Sequence, residues 1–133
     1  MIVLDASAAL ELLLATEVGQ KVAGRLRGPE AITAPQLLII ECLQVLRRAE
    51  HRHVIDPTTA GELVADLLAL DIELYDHRLV ARRVWELHDN VSAHDATYIA
   101  LSELLGAALV TTDAKLAGAP GNHALIELIR TDQ

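Results

Sequence analysis

The sequence predicts an α/β fold, with a mostly parallel central sheet covered by helices on both faces. Three observations carry this. Short apolar runs alternate with helical stretches along the chain, the pattern of βαβ units. Hydrophobic residues make up 52% of the 133 residues, enough for a sizeable core. That core has no Phe, one Trp (Trp85) and two Tyr (Tyr75 and Tyr98), so Leu, Ala, Val and Ile must fill it. Such a composition suits packed helices and buried parallel strands. The length fits one compact domain spanning residues 1–133.

The elements follow in order. Ile2-Val3-Leu4 is a β-type run that ends at Asp5. Ser7 is placed as an N-cap ahead of the helix formers Ala8 to Leu14. A second helix, about Glu17 to Leu26, stops at the turn signal Gly28-Pro29. Ala31 to Ala34 is a short strand, and Pro35 opens a long helix through about His51. Asp56-Pro57 reads as an N-cap followed by proline at the first helical position, with the helix running to about Leu70. Ile72 to Tyr75 is a strand and Arg78 to Leu87 a helix. Ser92 opens another helix that Gly106 stops. Ala108 to Thr111 is an apolar strand, followed by a turn or short helix and a last strand over Leu125 to Ile129. There is no internal repeat, linker or low-complexity segment.

Composition also excludes classes. The hydrophobic content rules out intrinsic disorder. With 19 acidic residues against 11 Lys+Arg, the net charge of −8 argues against a basic DNA-binding module. The single Cys42 cannot form an intramolecular disulfide. No basic leader precedes the first apolar stretch, and no apolar run approaches the roughly 18 residues of a membrane span. The expectation is a soluble, cytoplasmic protein.

In parallel α/β sheets, ligands bind outside the carboxyl ends of the strands. Polar residues there are the first candidates. Asp5 and Asp113 each follow an apolar strand, where the ordinary role is a helix N-cap. Glu41 lies within Leu37-Leu38-Ile39-Ile40-Glu41-Cys42-Leu43, a helix that is apolar nearly all round and so expected to be largely buried. A lone ionised carboxylate there would cost several kcal/mol unless an Arg pairs with it or it stays protonated. Asp95 opens the helix after Ser92-Ala93-His94, where an acid suits the helix dipole. It shares a face with Ile99 and Ser102. Four such carboxylates at one sheet edge would repel each other unless a cation neutralised them. Oxygen ligands select a hard ion, Mg²⁺ or Mn²⁺. A metal-bound water suits phosphodiester hydrolysis. Ser7, Thr111 and Thr112 are supporting hydroxyls for the carboxylates, with capping and turn formation as their ordinary role.

These residues resemble the PIN-domain ribonucleases, in particular the VapC toxins of VapBC toxin–antitoxin pairs. The resemblance spans essentially the whole chain. It rests on Ile2-Val3-Leu4-Asp5-Ala6-Ser7-Ala8, on Glu41 within its helix, on Asp95-Ala96-Thr97-Tyr98-Ile99-Ala100-Leu101, and on Leu109-Val110-Thr111-Thr112-Asp113-Ala114-Lys115-Leu116. It implies a PIN-like three-layer α/β/α sandwich and Mg²⁺- or Mn²⁺-dependent endoribonuclease activity. Asp5, Glu41, Asp95 and Asp113 match the family's acidic metal set, accompanied by Ser7 and Thr111. The resemblance also implies homodimers and inhibition by a small VapB-type antitoxin whose tail enters the acidic groove.

Three basic clusters are candidate phosphate contacts for RNA: Arg47, Arg48 and Arg52; Arg78, Arg82 and Arg83; and Lys21, Arg25 and Arg27. Solvated helix surface is the ordinary reading of each. His94 is read as a surface histidine, Cys42 as core packing, and Tyr98 and Trp85 as core or dimer contacts. The run Asp71, Glu73, Asp76 is read as solvated. Two other functions share the scaffold. A receiver-like signalling module would need a phosphoacceptor after a central strand, and Asp71 and Asp76 are its mid-chain options. A metal phosphohydrolase of small phosphate esters is the other.

Overall fold

The computed structural model describes residues 1–131. Five strands, β1 (Ile2–Leu4), β2 (Ile32–Pro35), β3 (Glu73–Tyr75), β4 (Ala108–Thr111) and β5 (Ile126–Leu128), form one sheet in the order β3-β2-β1-β4-β5. Every pairing is parallel; Ile2 lies beside Ile32 on one side and beside Ala108 on the other. The helices are α1 (Ala6–Leu14), α2 (Glu17–Arg25), α3 (Leu37–His51), α4 (Pro57–Ala69), α5 (Ala81–Glu86), α6 (Ala93–Leu105) and α7 (Ala114–Ala117). Helix α1 packs on α2, α3 and α4, whereas α5 packs on α6, which lies against β1, β2 and β4. The result is an α/β/α sandwich.

Burial follows position in the sheet. Ile2, Val3 and Leu4 of central β1, and Leu109 and Val110 of β4, are at most 1% exposed, because helices cover both faces. Edge strand β3 leaves Glu73 and Leu74 exposed. The chain steps outward from β1 to β2 and β3, then returns to place β4 on the other side of β1. The carboxyl ends of β1 and β4 are therefore the topological switch point, where the flanking connections diverge and leave a crevice.

Two glycines are required by geometry. A Cβ on Gly19 would stand 1.9 Å from the Glu11 carbonyl oxygen, so only glycine lets α2 cross α1 this closely. Gly106 ends α6 in the left-handed conformation, with φ 59°.

Local departures from the sequence expectations have physical causes. Asp5, not Ser7, caps α1: its Oδ1 accepts from the Ala8 N–H at 2.9 Å, and the helix begins at Ala6. Pro35 closes β2 rather than opening a helix; α3 starts at Leu37, whose N–H donates to His77 Nε2 at 2.9 Å. The expected helix over Arg78 to Leu87 splits into a 3-10 turn (His77–Leu79) and α5, because the Asp76 carboxylate accepts from the Arg78 N–H and tightens the first turn. The Asp56-Pro57 and Ser92 starts are as expected. Among the described residues, no helix is long and apolar enough to cross a membrane.

Candidate active site at the carboxyl edge of the sheet

Asp5 follows β1 and Asp113 follows β4, so adjacent parallel strands deliver both carboxylates to the same edge. The Asp5 side chain is only 4% exposed. Its Oδ2 accepts from Thr111 Oγ1 at 2.5 Å, while Ser7 Oγ lies 2.8 Å from Oδ1 and 3.0 Å from Oδ2. Thr111, fully buried, also receives the Asp113 N–H at 3.0 Å, and Ser7 Oγ receives the Thr112 N–H at 3.1 Å. The two hydroxyls are 3.3 Å apart. The β1–α1 and β4–α7 turns are thus stitched together around one carboxylate.

Burial pushes the Asp5 pKa up, and the Asp113 charge adds to this. The bonds from Thr111, Ala8 and Ser7 act in the opposite direction. Asp5 makes no ion pair with a Lys or Arg among the described residues. Neutral donors support it, and its neighbouring charge has its own sign.

Glu41 is half-buried on α3, and its Oε1 accepts from Tyr98 Oη at 2.5 Å. Burial and the carboxylates of Glu41 and Asp5 raise the Tyr98 pKa, so the phenol stays a donor. The same two acids and burial push the Cys42 thiol up to about 12. Cys42 is fully buried and, as expected, packs in the core. Tyr98 and Cys42 therefore lie within the influence of both Asp5 and Glu41. Asp95 sits half-buried in the first turn of α6, one turn before Tyr98, and its carboxylate has no hydrogen-bond partner among the described residues.

The long helix α3 is not buried all round, contrary to the sequence expectation. Leu38, Cys42 and Leu46 face the core, but Ile40 is 64% and Val45 42% exposed. With Ala6, Ser7, Leu10 and His94, that open face lines a groove of about 440 Å³ in which Glu41 and Arg48 both lie. Hydrophobicity alone does not say which side of such a helix meets the sheet. Glu41 borders this groove and is half-buried rather than enclosed in the core.

The basic clusters divide. Arg25 pairs with Glu127 and Glu30, Arg78 with Asp76, and Arg83 with Glu103 and Glu86. Arg47, Arg48 and Arg52 have no ion pair among the described residues, and neither has Arg82. Thr112 contributes its backbone N–H rather than its hydroxyl. Trp85 is not a core residue: it is 70% exposed and stacks on His88 with ring centroids 4.1 Å apart. Tyr98 is core, at 2% exposure, but also touches a site acid, a role the sequence reading missed. Its position three residues after Asp95 was the available signal. Asp76 ends edge strand β3 and is paired with Arg78, and Asp71 is exposed, so neither is a central-strand phosphoacceptor.

The donor chemistry suits a hard divalent cation. Carboxylate oxygens lie along one edge, hydroxyls orient the most buried of them, and among the described residues no Lys or Arg pairs with Asp5, Glu41, Asp95 or Asp113. As they stand, no three of the described His, Cys, Asp or Glu residues converge tightly enough to enclose an ion on their own. Mg²⁺ keeps several waters and uses one or two carboxylates directly, so it does not need such an enclosure.

Comparison with known proteins shows the family. The PIN domain family matches residues 2–122. The chain is similar to Ribonuclease VapC12 of Mycobacterium tuberculosis, 39% identical over 129 residues that cover 97% of this chain and 99% of the relative. In fold it is similar to the crystal structure of M. tuberculosis VapC20, a sarcin-ricin loop cleaving toxin, with TM-score 0.65, 19% identity, and coverage of 90% of this chain and 96% of that one. A toxin–antitoxin complex from Klebsiella pneumoniae contains a similar chain, with TM-score 0.61, 18% identity, and coverage of 96% and 100%.

Proposed function

We infer the function from one premise: the chain belongs to the PIN-domain family and, within it, to the VapC ribonucleases. We propose that residues 1–133 act as one PIN domain, a cytoplasmic Mg²⁺- or Mn²⁺-dependent endoribonuclease whose site is Asp5, Glu41, Asp95 and Asp113. The observation that carries this is the near-buried Asp5 carboxylate. It is held by Thr111, Ser7 and the Ala8 N–H, and it lies near Asp113, with no ion pair to either acid among the described residues. A divalent cation arriving at this edge would offset the cost of holding these two acids together.

Asp5, Asp113 and Glu41 would hold the divalent ion, directly or through its waters, with Asp95 completing the acidic rim. When bound, the ion supplies an activated water and stabilises charge on the scissile phosphate. The protein's own work is positioning. Thr111 and Ser7 fix the Asp5 oxygens. Asp113 is anchored through its Oδ1, which accepts from the Lys115 N–H at 2.9 Å.

The α3 groove supports a path for RNA. Glu41, Gln44, Val45 and Arg48 recur at helical spacing along it, so an unpaired guanidinium lies about two turns, roughly 10 Å, from the acidic edge. Arg48, with Arg47 and Arg52, is the cluster best placed to hold phosphates. The acidic edge beside the groove's apolar walls also suits the basic, amphipathic tail of a small antitoxin, and we propose that this chain is the toxin of a type II toxin–antitoxin pair and works as a homodimer.

The test is cleavage of RNA by the purified chain with Mg²⁺ or Mn²⁺ and its loss in EDTA. Asp5→Asn and Asp95→Asn should each abolish cleavage with the circular dichroism spectrum retained. A chain that cleaves no RNA and binds neither ion would overturn the reading. Growth arrest on expression, relieved by a co-expressed neighbouring small protein, tests the toxin assignment.

A further inference from the structure

We propose that Tyr98 is a positioning residue for Glu41: its hydroxyl holds one carboxylate oxygen so that the other stays available to a divalent cation. This role rests on the metal-dependent reading above. Each acid at the edge differs in how it is held. Asp5 has three donors, from Thr111, Ser7 and Ala8, and Asp113 has the Lys115 N–H. Glu41 has one polar partner among the described residues, Tyr98 Oη at 2.5 Å from Oε1.

The two partners differ in freedom. Tyr98 is 2% exposed, and its ring is packed among core residues of α6. Glu41 stands beside an open groove whose neighbours Ile40 and Val45 are well exposed. A glutamate there has three side-chain torsions to fix. The buried phenol supplies a fixed point, and a charge-assisted bond to it is stronger than a neutral one. A carboxylate accepts several bonds, so occupation of Oε1 leaves Oε2 free. Tyr98 also follows Asp95 by one helical turn, so the same helix carries one acid and orients another.

Phenylalanine at this position removes only the hydroxyl. Removing groups that orient a metal-binding carboxylate weakens metal affinity by about 10- to 100-fold. Tyr98→Phe should therefore weaken Mn²⁺ binding to the RNA-free protein by that factor, read from the electron paramagnetic resonance signal of free Mn²⁺. RNA cleavage should need correspondingly more metal and recover much of its kcat at saturation. In a Glu41→Gln background the same change should add little. Equal Mn²⁺ affinity in Tyr98→Phe and wild type would make Tyr98 a packing residue and overturn the inference alone. A wild-type chain that binds no Mn²⁺ would overturn the inference together with the reading beneath it.

A measurement on the unmutated chain guards against a misfolded variant. The chain has two tyrosines, so 3-fluorotyrosine labelling gives two ¹⁹F resonances. Mg²⁺ should move the Tyr98 resonance and leave that of Tyr75, which bonds Glu73 at edge strand β3, in place. A Tyr98 resonance unmoved by saturating Mg²⁺ would also overturn the inference.

Discussion

Replacing Thr111 by valine keeps the volume of a fully buried side chain and deletes one hydroxyl. That hydroxyl donates to Asp5 Oδ2 at 2.5 Å and accepts from the Asp113 N–H at 3.0 Å. A hydrogen bond to a buried charged group is worth about 1.5–3 kcal/mol. The Asp113 N–H loses its acceptor too, but this turn is half-buried and water replaces part of that loss, leaving about 0.5–1 kcal/mol. The sum is about 2–4 kcal/mol, a large share of a total stability on the order of 5–15 kcal/mol. For a domain of this size the melting temperature should fall by about 10 °C.

The loss should depend on pH. Burial raises the Asp5 pKa in the folded chain, so the folded state binds this proton more readily than the unfolded state. Ionised Asp5 therefore subtracts stability above its folded pKa, and Thr111 offsets part of that cost. The penalty of Thr111→Val should be full at neutral pH and shrink as pH falls through the folded Asp5 pKa. Thermal unfolding followed by circular dichroism in EDTA, from pH 7 down to pH 4, measures this directly. Thr111→Ser, which keeps the hydroxyl, should lose much less. A valine variant that melts with the wild type at pH 7, or whose deficit grows on acidification, would refute the account of Asp5 as a buried anion held by this hydroxyl.

Further outcomes follow from the same structure. Asp5→Asn should abolish cleavage yet raise the melting temperature at pH 7 in EDTA, because it removes a desolvated charge beside Asp113; a lower melting temperature would contradict this. Gly19→Ala should destabilise by at least about 1–3 kcal/mol in denaturant titrations, since the added Cβ would stand 1.9 Å from the Glu11 carbonyl oxygen and the α1–α2 crossing must open. Arg48→Ala should weaken binding of a short RNA to the Asp5→Asn protein and reduce the slope of log K against log salt by about 1, whereas Arg78→Ala, whose partner is Asp76, should leave that slope unchanged. Asp56→Ala should lower the melting temperature through loss of the α4 cap, which accepts from the Thr59 N–H at 2.7 Å.

Much of this was legible in the sequence because its signals are local. Apolar runs of three or four residues between helical stretches mark β1 and β4, and caps such as Asp56-Pro57 and Ser92 are written in adjacent residues. Acids placed just after apolar strands already single out Asp5 and Asp113. Boundaries failed where a distant group decided them. Leu37 rather than Pro35 opens α3, where the imidazole of His77 receives its N–H from forty residues away. The arginines within a cluster look equivalent in sequence, yet Arg25 and Arg83 each pair with a distant acid as well as a near one, Glu127 and Glu103 lying 102 and 20 residues off.

By itself, then, the sequence determined an all-helix-and-strand alternation, a parallel sheet, and the acids at its strand ends. Periodicity and capping act over a few residues and need no partner. Only the tertiary structure decided which groups answer those acids. It set Thr111 and Ser7, 104 residues apart, on one Asp5 carboxylate, turned α3 so that Glu41 borders a groove instead of the core, and brought the Tyr98 hydroxyl to Glu41 from another helix. Those pairings depend on how strands are ordered and which helix face packs, and hydrogen bonds between such distant residues exist only once the sheet has closed its register.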